Sequence, residues 1–406
     1  MFVGNRTLEA DRSFRRVLLL PTLLLCVFLS YTFSVFITTL LVDIAPAFKV
    51  SIGTISLLGI IGNGMGIIMG LAMSAITIRF KHKSLLLLGI ALYAVGDLGF
   101  FFAQNFAEAI AVSIFLGTGA AVVLILVYTL IGELLPLEKR GWAIGLVFSS
   151  FMAAFVVVAP LSGFIDSIAG WRPLLLWFIF PFSMVCLALC LLFIPTKQPQ
   201  PQLATRSLYS QMFKTVFMKK SPTACVVSAS FIAVISVVSS YAVSFYRTVF
   251  SVSPMIGGVF ASIAAAGGIV GGAMGGRLIN RYGRKPIAVT AVLISGVSCI
   301  LFTFIPVVAF SVALWALCVC TQTLSSAGQG SLSIEQIPEY RSSMMSINVS
   351  FANFGIVLGI IIGGLVLNLF CDNFHLLMVL LGAVGASAAA ILLFFARDPC
   401  AAGSTR

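Results

Sequence analysis

The sequence predicts an all-α membrane protein in which twelve transmembrane helices form two similar six-helix bundles. Three observations support this prediction: an apolar composition, a regular series of long apolar runs, and a charge pattern that repeats at a constant interval. Of the 406 residues, 60% are hydrophobic and only 9% are charged. That balance cannot cover a soluble globule with a polar surface, so lipid must surround most of the chain.

The apolar residues fall into twelve runs separated by charged residues, prolines or turn residues. A helix rises about 1.5 Å per residue and the hydrocarbon layer is about 30 Å thick, so roughly 20 residues cross it. A helix also satisfies its own backbone hydrogen bonds, as a water-free layer requires. Numbered 1 to 12, the runs are 17–42, 51–78, 84–103, 107–132, 142–165, 173–194, 222–247, 255–279, 286–306, 309–333, 343–368 and 375–396.

A polar segment between runs 6 and 7 divides the chain. It contains Pro199 and Pro201 together with five basic residues. The sequence therefore predicts an N-terminal half over 1–195, a cytoplasmic linker over 196–221 and a C-terminal half over 222–406.

The basic residues lie almost entirely on one side of the predicted membrane. The chain has 24 Lys and Arg against 12 Asp and Glu, a net charge of +12. Alternate loops, the linker and the termini hold 21 of these 24 cations, and the other side holds the remaining 3, namely Lys49, Arg172 and Arg247. This asymmetry predicts a protein of the cytoplasmic membrane with both termini in the cytoplasm. The charge is thus a topology signal, and no nucleic-acid partner is expected.

Two loops repeat at an interval of 202 residues. Arg79-Phe80-Lys81-His82-Lys83 follows run 2 and Arg281-Tyr282-Gly283-Arg284-Lys285 follows run 8, while Glu133 after run 4 matches Glu335 after run 10. A constant offset of half the chain indicates a duplication. Two parallel repeats predict a central site between the halves.

The second of these loops carries a family resemblance. Gly276-Arg277-Leu278-Ile279-Asn280-Arg281-Tyr282-Gly283-Arg284-Lys285 resembles the signature loop of the major facilitator superfamily, with Asn280 in place of its acid. The segment from Ile131 to Ala143, which contains Glu133, Glu138 and Arg140, and Gly170-Trp171-Arg172 resemble further elements of the family. The resemblance implies a twelve-helix transporter working by alternating access, most like the drug and metabolite efflux branch of drug:proton antiporters.

The resemblance also implies a cytoplasmic gate. Its residues come from the signature loops and the helix ends beside them, and they are Gly276, Asn280, Arg281, Gly283, Arg284, Lys285, Arg79, Glu133, Arg140, Glu335 and Arg341. The four at the helix ends, Glu133, Arg140, Glu335 and Arg341, are expected to form ion pairs between the halves, with solvation of the helix ends as the alternative. The N-terminal copy has Ile78 at the position of the signature acid and Lys81 at that of the central glycine. Because neither half keeps the carboxylate, a weaker cytoplasmic lock is expected.

Asp97 is the only acid well inside a run. An ionised Asp near mid-bilayer costs about 2.5–3.5 kcal/mol, so it must be protonated, partnered or in contact with water. Its position in the outer part of run 3 predicts that water reaches it. The two interpretations are a proton-coupling site and a local hydrogen bond between helices.

The resemblance places the substrate cavity among runs 1, 4, 7 and 10. The polar and aromatic candidates in these runs are Tyr31, Ser34, Thr118, Tyr128, Ser240, Tyr241, Gln322 and Gln329. None of the runs carries Lys or Arg at depth, which argues against a fixed anion as the substrate. A neutral, amphipathic or cationic solute fits better.

Glycine rows with a four-residue spacing occur in three runs. They are Gly62, Gly66 and Gly70; Gly268, Gly272 and Gly276; and Gly355, Gly359 and Gly363. Such rows permit close helix approach, either as a sliding interface between the halves or as static packing. Arg247, near the outer end of run 7, is interpreted as a headgroup anchor rather than a gate.

These features together predict a secondary transporter that acts as a monomer and exports its solute in exchange for protons. An uptake symporter or uniporter for a neutral solute is the first alternative, and a non-transporting membrane receptor or scaffold is the second. With only two histidines and no phosphate-binding Gly-Lys loop, an enzyme, a metal site and a cofactor are not expected.

Overall fold

A computed structural model describes residues 3–134, 137–195, 218–336, 341–370 and 372–398. All regular elements in these ranges are helices, and twelve of them are long and apolar enough to cross a membrane. The predicted fold class is therefore confirmed. The twelve helices are α1 Val3–Thr39, α2 Leu57–Arg79, α3 His82–Phe102, α4 Phe106–Leu134, α5 Leu137–Ala169, α6 Arg172–Phe193, α7 Lys220–Val249, α8 Pro254–Tyr282, α9 Arg284–Phe304, α10 Val308–Glu335, α11 Arg341–Leu369 and α12 Phe374–Phe395.

One connection and two spans depart from regular helix geometry. Short helices Leu41–Ala47 and Ile52–Ile55 connect α1 to α2, and α6 contains a π-helical turn over Leu175–Ile179. Helix α7 is broken at Val237, whose N–H donates to the Val234 carbonyl at 3.2 Å instead of completing an α-helical turn. This break lies inside a span and faces the centre of the protein.

The backbone repeats at the same interval as the charges. Lys49 and Ser251, which are 202 positions apart, both have left-handed backbones, with φ of 56° and 53°. Two residues later, Ser51 caps its helix through the Thr54 N–H at 3.0 Å and Ser253 caps its helix through the Ile256 N–H at 3.4 Å. The connections that precede α2 and α8 are thus two copies of one turn.

The two halves meet closely at one end. We call this end, which contains Asp43, Lys49 and Arg247, the Asp43 end, and the end with Lys83 and Lys285 the basic end. Glycines make the closest approaches at the Asp43 end. A Cβ atom would lie 2.5 Å from the Gly364 carbonyl oxygen at Gly53, 2.2 Å from that of Pro254 at Gly163, and 2.3 Å from that of Ala159 at Gly258.

The helices separate towards the basic end. Among the described residues outside their own helix turns, no atom lies within 4 Å of a Cβ built at Gly70 of α2 or at Gly276 of α8. The glycine row of α11 is not a surface between the halves, because Gly355 and Gly363 pack against Ser230 and Tyr241 of α7 in the same half. For that row, static packing within a half is the correct interpretation.

Candidate functional site

A cavity of about 300 Å³ lies between the two halves. Its walls come from α1, α2 and α5 of the N-terminal half and from α7, α8, α10 and α11 of the C-terminal half. Five of the residues predicted for the cavity line it, namely Tyr31, Ser34, Ser240, Tyr241 and Gln322. The α7 residues among them, Ser240 and Tyr241, follow the break at Val237, which also lines the cavity.

Three other predicted cavity residues are not part of the cavity wall. Thr118 donates to the Ile114 carbonyl of its own helix at 2.6 Å, and the Tyr128 side chain is 41% exposed. Gln329 is buried inside the C-terminal half, where its amide donates to the Cys225 carbonyl at 2.6 Å and to Asn348 Oδ1 at 2.8 Å. The structure thus replaces a cavity position for Gln329 with a bridge between α7, α10 and α11.

The sequence interpretation missed the contributions of α2 and α5. Asn63, Phe151 and Phe155 line the cavity, although the family resemblance pointed only to runs 1, 4, 7 and 10. The Tyr31 and Phe151 rings lie 4.2 Å apart at 51°, and Phe151 contacts Phe155 edge to face at 5.5 Å. The spacing of Phe151 and Phe155 by one helical turn was the available signal.

The cavity is mostly apolar, with scattered polar groups and no charge. Hydroxyl, amide and aromatic groups alternate with aliphatic side chains, and none of the described residues in its wall carries a charge. Such a site can hold a solute by apolar contact and by directional hydrogen bonds. It offers no countercharge to an ion.

Asp97 lies outside this cavity, buried within the N-terminal half. Its side chain has no exposed surface, so the prediction that water reaches it is wrong for this conformation. Neither carboxyl oxygen has a hydrogen-bond partner among the described residues. One turn earlier, the Tyr93 hydroxyl accepts from the Phe33 N–H at 2.9 Å and lies 2.9 Å from Thr32 Oγ1. Tyr93 therefore connects the Asp97 face of α3 to the helix that carries Tyr31.

An ion pair joins the two halves at the Asp43 end. Arg247 of α7 contacts Asp43 of Leu41–Ala47 through both terminal nitrogens, one of them at 2.6 Å from Oδ1. The side chains are 9% and 22% exposed. The interpretation of Arg247 as a headgroup anchor is therefore wrong, because its guanidinium is engaged in the protein interior.

The signature loop lies at the basic end. Gly283 has φ of 90°, a conformation that favours glycine. Arg284 lies 3.7 Å from Glu335 of the same half. Gly276 and Arg281 are exposed, and the Arg281 guanidinium stacks over the Tyr282 ring at 5.3 Å.

The neighbouring lysines make equivalent hydrogen bonds in the two halves. Lys83 donates to the Leu191 carbonyl at the end of α6 at 2.7 Å, and Lys285 donates to the Leu393 carbonyl at the end of α12 at 2.8 Å. Donors and acceptors are both 202 positions apart. The side chains of the remaining predicted gate residues lie outside the described residues, and they are Arg79, Glu133, Arg140, Asn280 and Arg341.

Two relatives from Bacillus subtilis (strain 168) are similar in sequence. "Uncharacterized MFS-type transporter YbcL" is 25% identical over 345 residues, 80% of this chain and 82% of that protein. "Uncharacterized MFS-type transporter YcnB" is 30% identical over 111 residues, which span 27% of this chain and only 23% of that relative's length. Neither description gives a substrate.

A solved structure with the same fold and a family model both indicate the family of this chain. The crystal structure of a D-xylose-proton symporter has a TM-score of 0.78 and 18% identity, covering 94% of this chain and 98% of that one, a likeness of fold alone. The model of the Major Facilitator Superfamily matches residues 23–334 and 270–405. The chain, with its duplicated twelve-helix fold and central cavity, therefore belongs to the Major Facilitator Superfamily of transporters.

Proposed function

We propose that the chain is a monomeric secondary transporter of the cytoplasmic membrane that exports a small neutral, amphipathic or cationic solute in exchange for protons. The observation that supports this most is the uncharged cavity between the halves, whose closest glycine contacts among the described residues lie at the Asp43 end. With the basic end in the cytoplasm, as the distribution of cations favours, the structure corresponds to the inward-facing state. Each chain holds a whole cavity, so one copy suffices.

Asp97 is the proposed proton site. A buried carboxyl group without a hydrogen-bond partner needs an explanation, and proton binding is one that the depth of the site favours. In this conformation the neutral acid is favoured, because the ionised form would lose its hydration. A conformation that brings water to α3 would favour release, so the protonation state and the conformation of the protein would be linked.

The test uses purified protein in liposomes that contain the pH indicator pyranine. An imposed pH gradient should collapse faster when ethidium, a cationic amphipathic probe, or 3-phenylpropanamide, an uncharged one, is added. Asp97→Asn should abolish this acceleration by either probe. Glu108→Gln is the matched control, since Glu108 is exposed at the start of α4 and contacts only its local cap.

The same experiment separates the alternatives. Probe that leaves the compartment towards which protons flow indicates exchange, whereas probe that follows the protons indicates an uptake symporter. Flux that ignores the pH gradient indicates a uniporter. Wild-type protein that binds the probes without any flux would contradict transport and favour a receptor. An unchanged gradient response in Asp97→Asn would exclude Asp97 as the coupling residue.

A further inference from the structure

The two walls of the central cavity differ in chemistry. Tyr31, Phe151 and Phe155 of the N-terminal half form a continuous aromatic surface. Residues with hydroxyl or amide groups concentrate on α7 and α10 of the C-terminal half, and they are Ser236, Ser239, Ser240, Gln322, Thr323 and Ser326. A molecule that fills the cavity meets this aromatic surface on one side and the larger share of the hydrogen-bonding groups on the other, while Ser34, Thr38 and Asn63 add polar groups to the N-terminal side.

Several polar groups of the wall are already satisfied by their own helices. Thr38 donates to the Val35 carbonyl at 3.0 Å, Ser236 donates to that of Ala233 at 2.6 Å, and the Thr323 hydroxyl donates to Val319 at 2.9 Å. Such hydroxyls have used their only proton on the backbone. They retain acceptor capacity but have no proton left to donate to a solute.

Gln322 is different. It is partly buried in the cavity wall, and none of the hydrogen bonds among the described residues involves its amide. Gln329, seven residues later on the same helix, is fully engaged with Cys225, Ser333 and Asn348. A carboxamide offers two protons and one acceptor oxygen, so Gln322 has its full capacity available. The hydroxyls of Ser239 and Ser240 are likewise unpartnered in the described structure.

The absence of charged residues in the described cavity wall also determines which charge the solute can have. Transfer of an ion from water into a site without a countercharge costs several kcal/mol. A cation over the aromatic surface would recover only about 0.5–2 kcal/mol. The desolvation cost is the larger effect, so the cavity favours an uncharged solute over either ion.

We infer that the cavity binds an uncharged amphipathic molecule, with a flat apolar part against Tyr31, Phe151 and Phe155 and an amide or hydroxyl group hydrogen-bonded to Gln322. The inference rests on the proposed function only in taking this cavity as the transport site. It narrows the solute from the neutral or cationic classes to the neutral one, and it makes Gln322 the residue that determines specificity.

Four probes with one carbon skeleton test the inference. Binding of 3-phenylpropanamide, 3-phenylpropan-1-ol, 3-phenylpropylammonium and 3-phenylpropanoate to the purified full chain is measured by calorimetry at pH 7. The amide and the alcohol should bind at least tenfold more tightly than either ion. Gln322→Leu should weaken the amide and the alcohol tenfold or more, about 1.4 kcal/mol.

Two further variants keep the test decisive. Gln104→Leu, at an exposed position after α3, should leave all four affinities unchanged. Gln322→Glu keeps the side-chain shape and should shift the preference towards the ammonium probe, even if the leucine variant folds poorly. Tighter binding of either ion to the wild type, amide affinity within twofold in Gln322→Leu, or no binding of any probe at millimolar concentration would overturn the inference.

Failure of this inference and failure of the proposed function are distinguishable. The calorimetry needs neither a membrane nor a gradient, so selective binding without flux would contradict transport alone. Flux of ethidium in liposomes, without selective binding of the uncharged probes, would contradict the inference alone.

Discussion

Tyr93 places a side-chain hydroxyl inside the backbone hydrogen-bond pattern of α1. The Phe33 N–H, which in a regular helix points to the Leu29 carbonyl, donates to the Tyr93 hydroxyl, while the Leu29 carbonyl accepts from Thr32 Oγ1 at 2.7 Å. Because Thr32 gives its proton to Leu29, the Tyr93 hydroxyl must donate to Thr32. Side chains that insert in this way locally loosen a helix. Helix α1 stays continuous through this turn, which lies beside the cavity residues Tyr31 and Ser34.

Tyr93→Phe removes both of these bonds and leaves the ring in place. Since Tyr93 is 1% exposed, water cannot replace the lost hydroxyl, and we expect a loss of about 1–3 kcal/mol in the free energy of unfolding. A lower apparent melting temperature in detergent would report it. Tyr282→Phe is the matched control, because Tyr282 is 55% exposed. Equal melting of both variants would show that the bond to α1 contributes nothing.

The sequence predicts residue depth better than residue partners. Asp97 was identified as an acid inside an apolar run, but its full burial and its lack of a partner among the described residues depend on helices distant in the chain. Gln322 and Gln329 show the same limit. They lie two turns apart on one helix, and only the approach of Cys225 and Asn348 distinguishes the engaged amide from the free one.

At the scale of elements, a lysine at the start of one helix holds the end of another. The last carbonyls of a helix lack partners within it, and the helix dipole makes this end attractive to a cation. Lys83 caps α6 in this way and Lys285 caps α12, where it bonds both Leu393 and Ala396, at 2.8 and 2.7 Å. The duplication has therefore preserved a tertiary contact as well as a motif.

Replacing these lysines with methionine tests the caps. Methionine keeps an unbranched side chain but has no proton to donate to a carbonyl. We expect Lys285→Met to lower the melting temperature more than Lys83→Met, because it removes two bonds instead of one. Each bond is worth about 0.5–1.5 kcal/mol. Lys81→Met, at an exposed position, is the control. An equal drop in the melting temperature of this variant would show that the loss of surface charge, and not the loss of the cap, causes the effect.

The presence of the twelve helices was predictable from the composition of the apolar runs, but the break in run 7 was not. The twelve runs are close to the twelve spans because about 20 apolar residues in lipid have no alternative to a helix. Run 7 was predicted as one continuous helix, yet it breaks at Val237, where the sequence has neither proline nor glycine. Tertiary packing imposes this break. The cavity serines around it could therefore be named from the sequence, but their common orientation could not.

At the scale of the whole molecule, the Asp43–Arg247 ion pair and the glycine contacts close the same end. The pair joins the connection after α1 to the end of α7, so it must break when the halves separate there. Removal of one partner of a largely desolvated pair leaves the other charge unpaired, at a cost of about 2–5 kcal/mol. That cost falls on the closed conformation only. An open conformation leaves both charges to water.

Neutralising this pair should therefore shift the population of conformations. In protein without native cysteines, spin labels at Lys49→Cys and Ser251→Cys report the width of the Asp43 end, since both positions are exposed and lie in opposite halves. Arg247→Gln should shift this distance distribution towards longer values. The ratio of the open to the closed population should rise at least tenfold. Labels at Lys81→Cys and Tyr282→Cys should show the basic end narrowing in the same sample.

A reversed pair distinguishes a latch from general damage to the fold. Asp43→Arg combined with Arg247→Asp restores opposite charges and should return the distribution towards that of the unaltered pair, whereas Asp43→Arg alone should widen the Asp43 end. Glu108→Gln serves as the control at this end, because its carboxylate bonds Gln104 and Asn105 locally and spans no interface. If Arg247→Gln leaves both distance distributions unchanged, the glycine contacts alone hold this end closed.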